Sequence, residues 1–329
     1  DGQVVRTGLG GIEGTSAWQT NKYGYGPYLD GIFSQSNFGI VTKLGLWLMP
    51  APESYEIFTI SFPLYADVEK AVDLGRRLKL SETVRSPLLI ASTATGMALA
   101  GVPRSVIKPG PGALTADEIQ AFAQKNHQPT ISMTAALYGT RDQIAAHLKF
   151  VEKEAKAAGG MLLHGEQLNV LPEKLVHHFH DMFTGTPDLQ EFALLNWIGG
   201  GGLIWFAPIC PTRGSEAIKQ IDMMKSLAAE FEFDFIDAFF LNGRSMVHLF
   251  NLFYDRSNED QKKRAYAFFE KAQATFAKAG YGVYRSNPAF MKKTAQVYGS
   301  AQMDLNRRIK KALDPKGLIA PGMSGITIA

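Results

Sequence analysis

The segment GYGVYRSN, residues 280–287, sets Tyr284 beside Arg285 just after two glycines. A guanidinium stays charged and offers a planar fork of donors, and a tyrosine hydroxyl can donate to the same acceptor. The pair therefore has the chemistry to hold an oxyanion such as a phenolate and to lower the pKa of the phenol it came from. Adjacent residues on a regular strand face opposite ways, so both reach one oxygen only where the chain turns, which Gly280 and Gly282 allow. An arginine paired with a surface carboxylate beside a buried tyrosine would leave the same two letters. The pair alone does not choose between these readings.

Four glycines, GGGG at 199–202, precede LIWFAPI. They would let a backbone approach a flat ligand with no side chain in the way, and a flexible loop would read identically. The run HHFH at 177–180 invites a metal. No carboxylate or cysteine completes it locally, however, and on a helix His177 and His180 share a face that His178 leaves, so no metal site is expected. His248 sits in an apolar strand-like run, where a satisfied core histidine is the ordinary occupant. Cys210, the only cysteine, reads as inert packing and excludes an internal disulfide. No P-loop, GxSxG elbow or HExxH pattern is present.

These residues must be positioned by a chain of 329 residues that is 46% hydrophobic, which is enough for two domains with a large core. Its composition reads as that of a soluble globular protein. The formal charge of +3 is not gathered into a basic run, which gives no reason to expect nucleic acid or an anionic membrane as partner. No apolar stretch reaches the roughly 18 residues of a membrane span. The opening DGQVVRTG resembles a hairpin already under way and is expected to continue from upstream sequence.

Along the chain, SNFGIVTKLGLWLMP reads as a turn leading into a buried strand that Pro50 stops. YEIFTISFPL (55–64), PTISMTAALYG (129–139), LIWFAPI (203–209), FDFIDAFFL (233–241) and SMVHLFNLFYD (245–255) have strand character. Between them, residues 66–80 carry apolar positions at helical spacing. Thr140 with Gln143 forms a capping box for a helix ending at Gly159, Ser215 and Asn258 are expected N-caps, and a last helix covers about 301–313. Strands that follow one another as well as alternate with helices predict an α+β fold, with helices on one face of a largely antiparallel sheet. The glycine-containing texture of both ends predicts that they form one domain around an inserted one.

Four stretches together, DGIFSQSNFGIVTKLGLWLMP, GGGGLIWFAP, GYGVYRSN and DPKGLIAPGMSG, resemble the vanillyl-alcohol oxidase and p-cresol methylhydroxylase group of FAD enzymes. The likeness extends over essentially the whole chain. It implies an FAD-binding domain portion at 1–50, a cap or substrate domain at 51–280 and a return to the FAD domain at 281–329. It further implies oxidation of para-substituted phenols, with Tyr284 and Arg285 on the phenolate. Trp205 would stand by flavin and substrate in a pocket that also takes Phe239, Met246 and His248. The expected cofactor contacts are Ser36, Asn37, Gly39, Ile40, Val41, Gly201, Gly202, Leu203 and Met323.

Two departures from the group's pattern matter. Leu203 stands where the oxidase branch has a flavin-bound histidine. The tyrosine that serves in the methylhydroxylase branch has no counterpart, since none occurs between Tyr138 and Tyr254. FAD is therefore expected to be held without a covalent bond. Met323 replaces a basic residue near the flavin's pyrimidine end, which should make the cofactor a weaker oxidant. WFAP and GYGVYR lean toward the methylhydroxylase branch, hence toward a dehydrogenase passing electrons to a c-type cytochrome subunit rather than an oxidase. That partner would imply the bacterial periplasm, and its absence the cytoplasm. The N-terminal part of the flavoprotein and a second copy of the chain are the other expected partners. The contrasting expectation is a non-catalytic paralogue with a decayed flavin site.

Overall fold

The computed structural model describes residues 2–328. It contains two compact units, one from Ala51 to Tyr284 and one made of the residues up to Pro50 together with those from Arg285 onward.

The larger unit is organised by eight strands. These are β1 (Ser54–Phe62), β2 (Leu89–Ser92), β3 (Ile131–Gly139), β4 (Met161–His164), β5 (Gly201–Phe206), β6 (Ile209–Pro211), β7 (Asp237–Leu241) and β8 (Ser245–Asp255). They form one sheet in the order β4-β1-β3-β2-β7-β8-β5, with β6 also paired to β8, and every pairing is antiparallel. The helices between them are α1 (Val68–Leu80), α2 (Thr93–Leu99), α3 (Ala116–Lys125), α4 (Arg141–Ala157), α5 (Glu173–Thr184), α6 (Gly214–Glu230) and α7 (Glu259–Lys278).

Local chemistry sets several of these boundaries. Thr140 and Gln143 exchange hydrogen bonds in a capping box at the start of α4, and the Asn258 side chain accepts from the Gln261 N–H at the start of α7. Ser215 is not a cap. α6 begins one residue earlier, and the N–H of Gly214 is taken at 3.0 Å by Asp73 Oδ1 of α1, so a tertiary contact does the work expected of a local hydroxyl.

Register decides which side chains share a face. Ile60 pairs with Met133, Met133 with Ile90, Ile90 with Phe239, Phe239 with His248, and Phe206 with Phe250, which puts all of them on one side. α7 covers this side, with Phe269 and Phe276 edge-on to Phe206 and Phe268 stacked on Phe250. α1 packs here too. A Cβ on its Gly75 would lie 2.6 Å from Leu241, which accounts for a glycine in the middle of a helix. The opposite face is also covered: Leu89, Ala136, Ala238 and Phe253 pack with Ala98 of α2, Ile119 of α3, Phe179 and Phe183 of α5, and Trp197. Helices therefore lie on both faces rather than the one expected. The reason is visible in β7 and β8, whose residues are buried on both sides.

In the smaller unit, the expected strand within 38–50 does not form. Residues 40–50 carry no strand, and Ile40, Leu44, Leu46, Trp47 and Leu48 are 70% or more exposed. A strand exists only through a neighbour that completes its hydrogen-bond ladder, and among the described residues no strand pairs with this segment. The ordered centre of this unit is instead a buried lysine on the helix α9 (Ser300–Leu313), which follows the short α8 (Met291–Gln296). Lys310, 1% exposed, donates from Nζ to the Asn37 carbonyl (2.5 Å), the Ile319 carbonyl (2.8 Å) and Asp314 Oδ2 (2.7 Å). Asp314 also accepts from the N–H groups of Leu318 and Ile319, while the Asn37 amide donates to the carbonyls of Ala320 and Ile326, both at 3.0 Å.

Hydrogen bonding from Lys310, then from the Ile319 N–H, holds the Asp314 carboxyl down at about 2. A carboxyl depressed in the folded state contributes stability that is fully present above its unfolded value and is lost as pH falls through the folded one. Asp314→Asn is accordingly expected to remove a component of the acid-unfolding curve between about pH 4 and pH 2. An unchanged curve over that window would show that the lock does not report on Asp314.

Candidate active site

The chain leaving α7 is fastened before it reaches Tyr284. Tyr281 donates its hydroxyl to Glu216 Oε2 at 2.7 Å, the Ile209 N–H donates to the Gly282 carbonyl at 2.8 Å, and Val283 forms an antiparallel bridge with Pro208. Burial, then the Glu216 carboxylate, pushes the Tyr281 hydroxyl well above its ordinary value, so this anchor stays protonated. Tyr284 follows half-buried and Arg285 exposed. The sheet edge that receives Val283 is the link between β5 and β6, three residues past Trp205.

Trp205 is 44% exposed, and its indole N–H donates to Asn251 Oδ1 at 2.8 Å. Asn251 is itself buried, and its amide reaches the Ile236 carbonyl at 3.3 Å. Trp205 pairs with Asn251 and Leu203 with Phe253, so these four share a face. Phe239, Met246 and His248 point the other way, under the helices, at 1% exposure or less. The expected pocket of Trp205 with Phe239, Met246 and His248 is thus corrected: alternation places the latter three on the opposite side, and their neighbours Ala238, Val247 and Asn251 stand on the side of Trp205.

His248 instead belongs to a sealed polar group. Its Nε2 lies 3.1 Å from Asp237 Oδ2, the Tyr65 hydroxyl donates to the other Asp237 oxygen, and its ring stacks on Phe239 at 4.3 Å. Burial, then Asp237, raises the Tyr65 hydroxyl well above its ordinary value.

The four glycines answer to the fold. A Cβ on Gly200 would meet the Asp255 Cα at 2.3 Å and one on Gly202 the Tyr254 carbonyl oxygen at 2.3 Å, while Gly199 and Gly201 have φ of +79° and +66°. They bring β5 against the end of β8, a reason that neither the ligand nor the loop reading contained.

A cavity of about 290 Å³ opens beside Trp205, lined also by His178, Met182, Asp188, Glu191 and Phe192. His178 Nδ1 lies 2.9 Å from Asp188 Oδ2, and this hydrogen bond, ahead of one from the Gln190 N–H, holds the Asp188 carboxyl below the usual range. The other histidines of HHFH share Asp181, a local carboxylate that the sequence reading passed over, at 3.3 Å from His177 and 3.5 Å from His180, and His180 also meets the Tyr55 hydroxyl at 2.7 Å. His178 and Asp188 line this cavity and Asn251 holds the Trp205 indole, and the sequence reading gave none of the three such a place. A buried polar residue in an apolar strand was the available signal for Asn251, whereas nothing local marks His178.

The expected cofactor contacts divide between the two units. In the smaller one, the Lys310 lock joins Asn37 to the 320–326 segment that contains Met323, and Ser36 donates to the Ile32 carbonyl. Asn37 is 1% exposed, yet its Oδ1 has no protein partner, while Gly39 is half-buried and Ile40 and Val41 are exposed. A flat ring with an N–H edge suits a buried acceptor next to apolar surface, so this part fits a flavin. In the larger unit, Gly201 and Gly202 open β5, and Leu203 is half-buried on the face of Trp205. Cys210 pairs with Met246 on the opposite face, and burial, then Glu216, pushes its thiol to about 12.

Residues 191–324 match the C-terminal domain family of FAD linked oxidases. That domain and the antiparallel sheet covered by helices define the class: the chain carries a C-terminal domain of the FAD linked oxidases and is similar over its whole length to p-cresol methylhydroxylase. In particular, it is 39% identical to the 4-cresol dehydrogenase [hydroxylating] flavoprotein subunit of Pseudomonas putida, over 100% of this chain and 63% of that protein. A crystal structure of p-cresol methylhydroxylase with substrate bound superposes with a TM-score of 0.94 at 38% identity, covering 99% of this chain and 63% of that one. The 4-ethylphenol oxidase of Gulosibacter chungangensis in its isoeugenol complex gives a TM-score of 0.92 at 27% identity, over 99% and 64%. The 1'-carboxy-chondrochloren decarboxylase of Chondromyces crocatus is 26% identical over 98% of this chain and 65% of its own length. The chain thus spans slightly less than two thirds of these relatives.

Proposed function

We propose that the chain contributes the substrate side and part of the flavin site of an FAD-dependent enzyme that oxidises para-substituted phenols at the benzylic carbon. The observation that carries this reading is the fastening of residues 281–283 to Glu216, Pro208 and Ile209, which fixes the chain up to Tyr284 at the strand link that follows Trp205. Arg285 and Tyr284 hold the phenolate oxygen, which favours the ionised phenol and lets its charge push through the ring. The flavin, when bound, accepts the hydride that leaves the benzylic carbon. The resulting quinone methide is then attacked by water. Fixed positioning and a fixed positive charge supply most of the rate gain.

The relative named as a dehydrogenase flavoprotein subunit favours a dehydrogenase over an oxidase. A c-type cytochrome subunit would then be the acceptor, with the periplasm as its place, and the cytoplasm would be the place without one. Leu203 and Met323 favour a second reading, a paralogue with a decayed flavin site. Anaerobic addition of a 4-alkylphenol is expected to bleach the flavin absorbance of the phenol oxidoreductase. An unbleached spectrum would leave the decayed paralogue.

FAD is expected to be bound without a covalent link. Attachment to the flavin's methyl carbon requires a nucleophile, and the run from Phe192 to Trp205 has no histidine, tyrosine or cysteine. Cys210 lies on the opposite face from Leu203 with a thiol at about 12, so it does not substitute. Acid precipitation should leave yellow FAD in the supernatant, and a yellow pellet under a colourless supernatant would refute the non-covalent assignment.

A further inference from the structure

The cavity beside Trp205 holds an imidazole to which the phenol reading gives no task. His178 is fixed on two sides: Nδ1 meets the Asp188 carboxylate at 2.9 Å, and the ring packs at 6.2 Å against Phe179 in the core, leaving its side chain 7% exposed. A carboxylate at Nδ1 keeps the proton of the neutral ring on that nitrogen, so Nε2 carries the lone pair. Around the ring, the cavity walls combine Trp205, Met182 and Phe192 with polar Thr186, Asp188 and Glu191. A space of about 290 Å³ with several polar partners is roomy enough to order water beside an aromatic ligand.

We propose that His178 is the base that takes the proton from the water adding to the oxidised phenol, with Asp188 as its positioning residue. This rests on the phenol reading above. The water oxygen forms a bond to the benzylic carbon, and the electron pair of the exocyclic double bond returns through the ring to the phenolic oxygen, which regains its negative charge. The proton that water loses ends on Nε2. Glu191 lines the same cavity, but it is exposed, and an imidazole as a class better matches proton acceptance near neutral pH than a carboxylate does.

The test is the fate of 4-ethylphenol in the holoenzyme. Its quinone methide either adds water to give the benzylic alcohol or loses a methyl proton to give 4-vinylphenol, so the alcohol-to-alkene ratio reports on water activation separately from hydride removal. His178→Gln is expected to lower that ratio about a hundredfold, the lower end of what a positioned base contributes. Asp188→Asn should lower it less, because the imidazole remains. In His178→Gly, added imidazole should restore the ratio, and the more weakly basic 1,2,4-triazole should restore it less. A structural role would alter stability or overall turnover and leave the ratio and its dependence on azole basicity unmoved, which would overturn the proposal. So would a ratio that responds to Glu191→Gln but not to His178→Gln. Failure of the wild-type protein to bleach with 4-ethylphenol would sink the phenol reading and this one together, whereas bleaching with an unchanged ratio in the His178 variants would sink this one alone.

Discussion

Lys310→Met is expected to destabilise the smaller unit by on the order of 3 to 5 kcal/mol, as buried acceptors left unpaired cost about 1 to 3 kcal/mol each. Methionine fills a similar volume, so the loss is electrostatic rather than a cavity. The carbonyls of Asn37 and Ile319, at 2.5 and 2.8 Å from Nζ, lose their donor, and Asp314 loses its cation. Adding Asp314→Leu should recover only part of the loss, because the two carbonyls still lack a donor and the N–H groups of Leu318 and Ile319 now lose their acceptor. Asn37 is also an expected flavin contact, so flavin occupancy should fall in the same variant. Thermal and urea unfolding would measure the effect. A loss under about 1 kcal/mol, the range of an exposed ion pair, would mean that water replaces the lysine and that the lock is not closed.

The way this lock joins residue 37 to residues 310–326 was not legible in the sequence, because a lysine in a helix reads as a solvated charge. Element positions were legible wherever a local pattern sufficed. SMVHLFNLFYD reads as a strand over 245–255, and β8 occupies Ser245–Asp255. Which of its faces meets which layer was not. Met246, Phe250, Leu252 and Phe253 are all buried, so the two-residue period carries no polarity to orient it, and His248 was assigned to the face that belongs to Asn251. HHFH shows its helix but not the role of His178, because Asp188 lies ten residues on, beyond Gly185 with φ +80°. The apolar run at 40–49 reads as a buried strand because burial was inferred from composition, whereas strand formation depends on a partner that sequence does not display.

Arg285→Lys is expected to slow turnover by roughly tenfold to a hundredfold, the rate equivalent of about 1.5 to 3 kcal/mol for one charge-assisted hydrogen bond. The positive charge survives the change, so the loss measures the planar fork, which an ammonium cannot reproduce against a phenolate oxygen. The backbone offers little slack for compensation, since Gly282 and Val283 are bonded to Ile209 and Pro208 just upstream. Tyr284→Phe should slow the enzyme less, because a neutral donor is lost while the charge stays. Arg141→Lys, at an exposed position where α4 begins, serves as the control for a lysine exchange without an expected role. Comparing kcat/KM among the three variants separates the contributions. Wild-type kinetics for Arg285→Lys would remove Arg285 from the site, and a larger loss for Tyr284→Phe would make the tyrosine hydroxyl, rather than the guanidinium, the principal partner of the phenolate.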